Sequence, residues 1–143
     1  MLTPFRIAAA AGVLLVTGLF TTMGHAQDAR WQPLRESAEI ENGLLVVMVG
    51  SFIVEGCDDI SVRRLRSTPY MIGLARQAMG LGFSQAEVEE FIDDPVERAR
   101  VEARADAYLA QNGAARGDAA SLCRVGRDEI SAGSTIGRML RQG

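Results

Sequence analysis

Residues 39–57 read EIENGLLVVMVGSFIVEGC, and the fold turns on whether this stretch is a helix or a strand. From Leu44 to Val54 every residue is apolar except Gly50 and Ser51. At about 100° per residue those side chains cover almost the whole circumference of a helix, so a helix here must be surrounded by other elements. The run is too short to span a bilayer, which takes about 20 apolar residues. A buried strand is the rival reading, because Val46, Val47, Val49, Ile53 and Val54 are β-branched. The segments downstream all carry helical signals, and they favour the central helix of a small bundle.

On a helix, Gly43, Gly50 and Cys57 recur every seventh residue and form one narrow stripe that ends in the cysteine. Near the C-terminus a second stripe begins with Cys123 and continues through Gly126, Ile130, Gly133 and Gly137. If the two cysteines are bonded and the helices run antiparallel, Gly50 comes opposite Ile130 and Gly43 opposite Gly137. Small residues would then line a close helix–helix seam. A kink or break near Gly133 is the competing account of these costly glycines, and a chance scatter in a glycine-rich composition is the bland one.

Upstream, residues 1–26 carry a single positive charge at Arg6, an apolar run over 7–20, and small residues at Gly24 and Ala26 around His25. This is the pattern of a secretory signal peptide cut between Ala26 and Gln27, with an uncleaved N-terminal anchor as the alternative. The remainder is one domain's length. An exported periplasmic protein with no membrane span after cleavage is expected, and two cysteines in such a chain, Cys57 and Cys123, read as one structural disulfide. Net charge is −3 over the full chain, which offers nucleic acid no general attraction.

Residues 27–36 show no clear period and read as an extended leader. It contains Trp31, which either packs on the core or anchors a partner. Residues 37–143 read as a single helical domain. Ser37 opens the central helix, with Glu39 and Glu41 suiting the positive end of its dipole. The segment 57–66 is a connector or short helix. Ser67-Thr68-Pro69 supplies a cap and a first-turn proline for a second helix. Ser84 with Glu87 and Asp94 with Pro95 and Glu97 mark two more helices, and Asp118 caps a last one carrying Leu122, Val125, Ile130, Ile136 and Leu140. The expected fold class is all-α, a bundle of four to five helices closed by one disulfide.

The chemistry is defined by what is missing. The only histidine is His25, inside the expected leader, and every one of the 15 basic residues is arginine. Histidine acid–base catalysis, Ser-His-Asp and Cys-His arrangements, histidine metal ligation and lysine Schiff bases have no residues to use. No catalytic residue, cofactor site or metal site is assigned. Glu41 and Glu55 could be imagined as an acid–base pair in sugar hydrolysis, but fourteen residues of helix hold them roughly 21 Å apart, and solvated helix ends explain them better. Arg63, Arg64 and Arg66 form the densest basic cluster. They suit a carboxylate-rich partner or lipid headgroups, or they are a solvated face beside Asp58 and Asp59.

Five stretches together resemble a known group: PLRESAEIENGL at 33–44, LGFSQAEVEEFI at 81–92, YLAQNGAARGD at 108–118, SLCRVGRDEI at 121–130 and STIGRML at 134–140. They are similar to a domain-of-unknown-function family of small exported proteins from Rhodobacter-group alphaproteobacteria. The resemblance implies one domain and a paired Cys57 and Cys123. It brings no catalytic residues, and it implies an accessory role, with association to respiratory NADH dehydrogenase as one form. A non-enzymatic interaction module with a protein partner in the cell envelope is therefore expected. The alternatives are a periplasmic chaperone or inhibitor-like binding protein and, last, a hydrolase using carboxylates alone.

Overall fold

The computed structural model describes residues 23–143. Residues 1–22, which hold most of the expected signal peptide, lie outside the described residues, and the junction Ala26–Gln27 falls within the backbone of the first helix. Among the described residues there are seven helices and one small antiparallel ribbon: α1 (Met23–Glu36), α2 (Ala38–Gly56), β1 (Ile60–Val62), α3 (Arg64–Gly80), α4 (Gln85–Asp93), α5 (Pro95–Gln111), α6 (Ala119–Ala132), α7 (Thr135–Met139) and β2 (Leu140–Gln142). The fold is all-α and is closed by Cys57–Cys123, whose Cα atoms are 5.1 Å apart.

The disputed stretch is the helix α2. The Ser37 side chain accepts the Ile40 amide at 3.4 Å, and Glu39 and Glu41 occupy the first turn. Two apolar clusters meet on it. Val49, Phe52 and Ile53 pack with Ala105 and Leu109 of α5, Leu122 and Val125 of α6, and Ile136 of α7. Ile40, with Leu44 against it, joins Trp31 and Leu34 of α1, Ala78 of α3, and Val88 and Phe91 of α4.

The expected extended leader is instead α1, whose segment Ala29–Glu36 meets α2 at 82°. Pro33 lies inside this helix, and an interior proline costs about 3 kcal/mol. Trp31 and Leu34 fall on one face and are 1% and 0% exposed. Burying roughly 200 Å² of indole at about 25 cal/mol per Å² contributes about 5 kcal/mol, and the burial of Leu34 adds to it. Against these stand the proline and the Trp31 Nε1–H, which has no hydrogen-bond partner among the described residues. The Trp31 ring stands 5.3 Å from Phe91 and 5.9 Å from Phe83. It belongs to the core, the first of the two roles expected for it, and is withdrawn from the candidate partner surface.

Local signals set most of the other boundaries. Ser84 and Glu87 form both bonds of the capping box that starts α4. Asp94 accepts the Val96 and Glu97 amides at 2.8 and 3.0 Å and Pro95 takes the first position of α5. Asp118 accepts from Ser121 at the start of α6. The exception is α3, which begins at Arg64 and carries Pro69 in its second turn. The Arg63 carbonyl accepts the amides of Arg66 and Ser67, both at 2.9 Å, so the turn closes before the Ser67-Thr68-Pro69 signal is reached.

The proposed glycine seam does not form as drawn. Helix α6 does run antiparallel to α2 from the disulfide, with Leu122 against Gly56 and Gly126 against Ile53 and Ile60. It then ends at Gly133, which adopts the left-handed conformation at φ 63° while the Gly133 and Ser134 amides bond back to Ile130 and Glu129. The break is the account that holds. Beyond it α7 folds back on α6, and a Cβ on Gly137 would overlap the Glu129 backbone. Gly43 lies under Leu74 of α3, and a Cβ on Gly50 would meet nothing within 4 Å. The stripe was a real spacing, but its members serve different neighbours.

After α7 the chain becomes β2 and pairs with β1, in the register Ile60↔Gln142, Ser61↔Arg141 and Val62↔Leu140. The Arg63 amide extends the ladder to Met139 at 2.7 Å, and the Gly143 amide closes it on Asp59 at 2.8 Å. This ribbon replaces the expected connector at 60–62 and the expected helical end at 140–142.

Candidate functional site

The ribbon brings a distant arginine to the basic cluster. Arg141 of β2 joins Arg63, Arg64 and Arg66 around an open cleft of about 530 Å³ that Val62 and Leu65 also line. Leu65 is 95% exposed and Val62 39%. Arg141 donates from Nε to the Ser61 hydroxyl at 3.0 Å. The side chains of Arg63, Arg64 and Arg66 make no ion pair or hydrogen bond with any described residue, Asp58 and Asp59 included. Elsewhere on the surface Arg30 is paired with Glu87 and Glu90, Arg116 with Glu102 and Asp106, and Arg124 with Asp128. Four guanidinium groups around a protruding leucine make a basic surface with an apolar centre, and guanidinium presents a planar fork of donors that suits carboxylate or phosphate.

Next to this end lies a narrow apolar slot between α2 and α3. It encloses about 120 Å³ and shares Val62 with the arginine cleft. Its walls include Val46, Val47 and Gly50 of α2, Tyr70 and Met71 of α3, and Leu140 of β2. Helix α3 is thinly packed, with Ala78 its one buried residue and Met71 and Ile72 half exposed at 53% and 47%. Burial raises the Tyr70 hydroxyl above the usual tyrosine range; Glu39 adds to the rise and Arg138 opposes it.

The carboxylates are occupied by other tasks. Glu41, expected to be a solvated helix end, has a side chain only 12% exposed, and Arg100 grips it at 2.7 and 2.6 Å with Arg104 beside it. Glu97, 2% exposed, pairs with Arg35 of α1 and with Arg100 at 3.0 Å. This network ties α1, α2 and α5 together. Glu129, 8% exposed, accepts from the hydroxyls of Tyr108 and Ser134 and so joins α5, α6 and α7. Burial first, and the bond to Glu129 second, push the Tyr108 hydroxyl up to about 12. Glu55, Glu97 and Glu102 line a second cleft of about 380 Å³, where Arg116 holds Glu102. Among the described residues no group of three His, Cys, Asp or Glu side chains is placed to hold a metal ion. No single described helix is long and apolar enough to cross a membrane.

The sequence singled out Arg63, Arg64 and Arg66, and the structure keeps them together. It removes Trp31 to the core and disperses Gly43, Gly50, Gly126, Gly133 and Gly137. Arg141 and the α2–α3 slot were missed. A three-residue strand has no readable period, so nothing near position 141 marked it as a neighbour of position 61.

Fold and surface together define a small disulfide-closed helical domain with an arginine-rimmed apolar end. The chain belongs to the family of unknown function DUF5333, whose sequence model matches residues 32–141. No curated protein and no solved structure matches it.

Proposed function

We propose that the chain is a non-enzymatic interaction module of the periplasm, docking through Arg63, Arg64, Arg66 and Arg141 onto a carboxylate-rich surface of a protein in the cell envelope. The observation that carries this reading is Leu65, almost fully exposed in the middle of arginines whose guanidinium groups have no acidic partner among the described residues. Interfaces place an apolar centre inside a polar rim and are enriched in arginine; docked, Leu65 would exclude water while the guanidiniums select charge. The lack of histidine and lysine after residue 26 supports the non-enzymatic part, and the disulfide supports an oxidising compartment.

Crosslinking in intact cells tests it, comparing the natural protein with an Arg63→Glu, Arg64→Glu, Arg66→Glu variant. One discrete adduct with an acidic envelope protein is expected, and the variant should lose it while keeping its fold by circular dichroism. An adduct unchanged by charge reversal would refute the assignment. A second reading, a chaperone or inhibitor-like binder, is favoured by Met71, Ile72, Met79, Leu81, Ile92 and Val96, all exposed by 41% or more. Strong binding of an apolar dye by the folded, oxidised protein would favour that alternative.

A further inference from the structure

We propose that the slot between α2 and α3 takes the alkyl chain of an anionic amphiphile, a fatty acid or a singly acylated phosphate lipid, with the headgroup held by Arg63, Arg64, Arg66 and Arg141. This rests on the reading of the arginine end as an anion-binding surface and extends the site inward from it. Three observations support the extension.

The first is Gly50. It sits in the middle of the central helix, where glycine costs about 1 kcal/mol against alanine. At Gly43, Gly126 and Gly137 close packing leaves no room for a Cβ, but at Gly50 a Cβ would meet nothing within 4 Å. Gly50 is nevertheless buried and lines the slot. Here the missing side chain leaves a space open, and filling it would shorten the slot.

The second is continuity. Val62 belongs to both the arginine cleft and the slot. At the far end Val47 and Met71 are shared with a further void of about 110 Å³, lined by Leu44, Leu74, Val88 and Ile92 among others. Met71 stands between the two voids and is half exposed. Methionine is the side chain that most easily yields to an entering chain, having three rotatable bonds and no branch.

The third is the chemistry of the walls. Both long walls are helices, whose ladders engage their backbone amides and carbonyls except where Pro69 interrupts α3, and the lining is apolar apart from the hydroxyls of Ser51, Ser67 and Tyr70. A peptide entering the slot would leave its own amides and carbonyls unpaired, each at a cost of a few kcal/mol. An alkyl chain has no such groups. The mouth then fixes the sign of the head: four arginines select an anion, in a chain whose net charge is −3.

Isothermal titration calorimetry of the purified oxidised protein tests this with dodecanoate and dodecyl phosphate, both below their micelle-forming concentrations. The controls are dodecyl maltoside, which has the tail without the charge, and inorganic phosphate, which has the charge without the tail. Binding of one molecule per protein is expected for at least one anionic probe, with affinity rising about fourfold per methylene along a shorter-chain series until the slot is filled. Gly50→Leu should weaken it at least about tenfold while leaving the envelope-protein adduct intact. Gly50→Ala, which the helix accepts readily, should weaken it less and guards against a misfolded leucine variant. Arg66→Ser with Arg141→Ser should weaken binding and adduct alike. Preference for dodecyl phosphate would assign a phospholipid source, and preference for dodecanoate a free fatty acid. Equal affinity in both Gly50 variants, no gain with chain length, or equal binding of the maltoside would overturn the proposal while leaving the protein-docking reading standing.

Discussion

Replacing Gly50 with alanine separates the two accounts of the glycine pattern most sharply. In a tight seam the added methyl would force α2 and α6 apart, and overpacking of that kind costs about 1–3 kcal/mol. In the observed structure the methyl enters open space. What remains is the helix propensity difference, a gain of about 1 kcal/mol, part of which comes from restricting the unfolded chain. For a domain of this size that is a rise of about 4 °C in Tm. Gly126→Ala is the internal control, because its Cβ would overlap Ile53 and Ile60, and a loss of about 1–3 kcal/mol is expected. Urea titrations of the oxidised proteins, followed by the fluorescence of Trp31 and by far-ultraviolet circular dichroism, measure both. Destabilisation by Gly50→Ala of the same size as that by Gly126→Ala would refute the open slot and restore the seam.

Reduction of Cys57–Cys123, which closes a separation of 66 residues, should lower stability by about 4 kcal/mol, read as a fall in the urea midpoint when reductant is added. Trp31 should be poorly quenched by acrylamide in the folded state, and Trp31→Ala should cost about 3–5 kcal/mol; facile quenching would return the indole to the surface. The Tyr108 hydroxyl, raised to about 12 in the fold from an ordinary value of 10.0, contributes stability that is fully present below the ordinary value and lost as pH rises through the folded one. Alkaline unfolding should therefore steepen between those values, and Tyr108→Phe should flatten it. Glu97→Ala, which leaves Arg35 and Arg100 beside an empty carboxylate position, should destabilise by about 3 kcal/mol, with the loss visible in chemical denaturation at neutral pH.

The sequence alone determined what depends on neighbours along the chain. Ser37, Ser84, Asp94 and Asp118 cap helices because a short polar side chain reaches an amide two or three residues on, and that geometry is written into the spacing. The apolar run at 44–54 demanded a central element, and the two cysteines demanded each other. The reach of Arg63, Arg64 and Arg66 as a cluster was local too. What the tertiary structure decided is everything that needs a second segment. The lack of period argued for an extended leader, yet the burial of Trp31 and Leu34 in the cluster that holds Phe91 made a helix of it, Pro33 included. Gly133 could continue a helix or end one, and only the docking of α7 on α6 chose. Arg141 met the basic cluster through a ribbon three residues long, and Gly50 became the floor of a slot because α3 packs on α2 too thinly to fill it. Capping is settled over one turn of chain, whereas burial, breaks and clefts are settled by surfaces that meet only after the chain has folded.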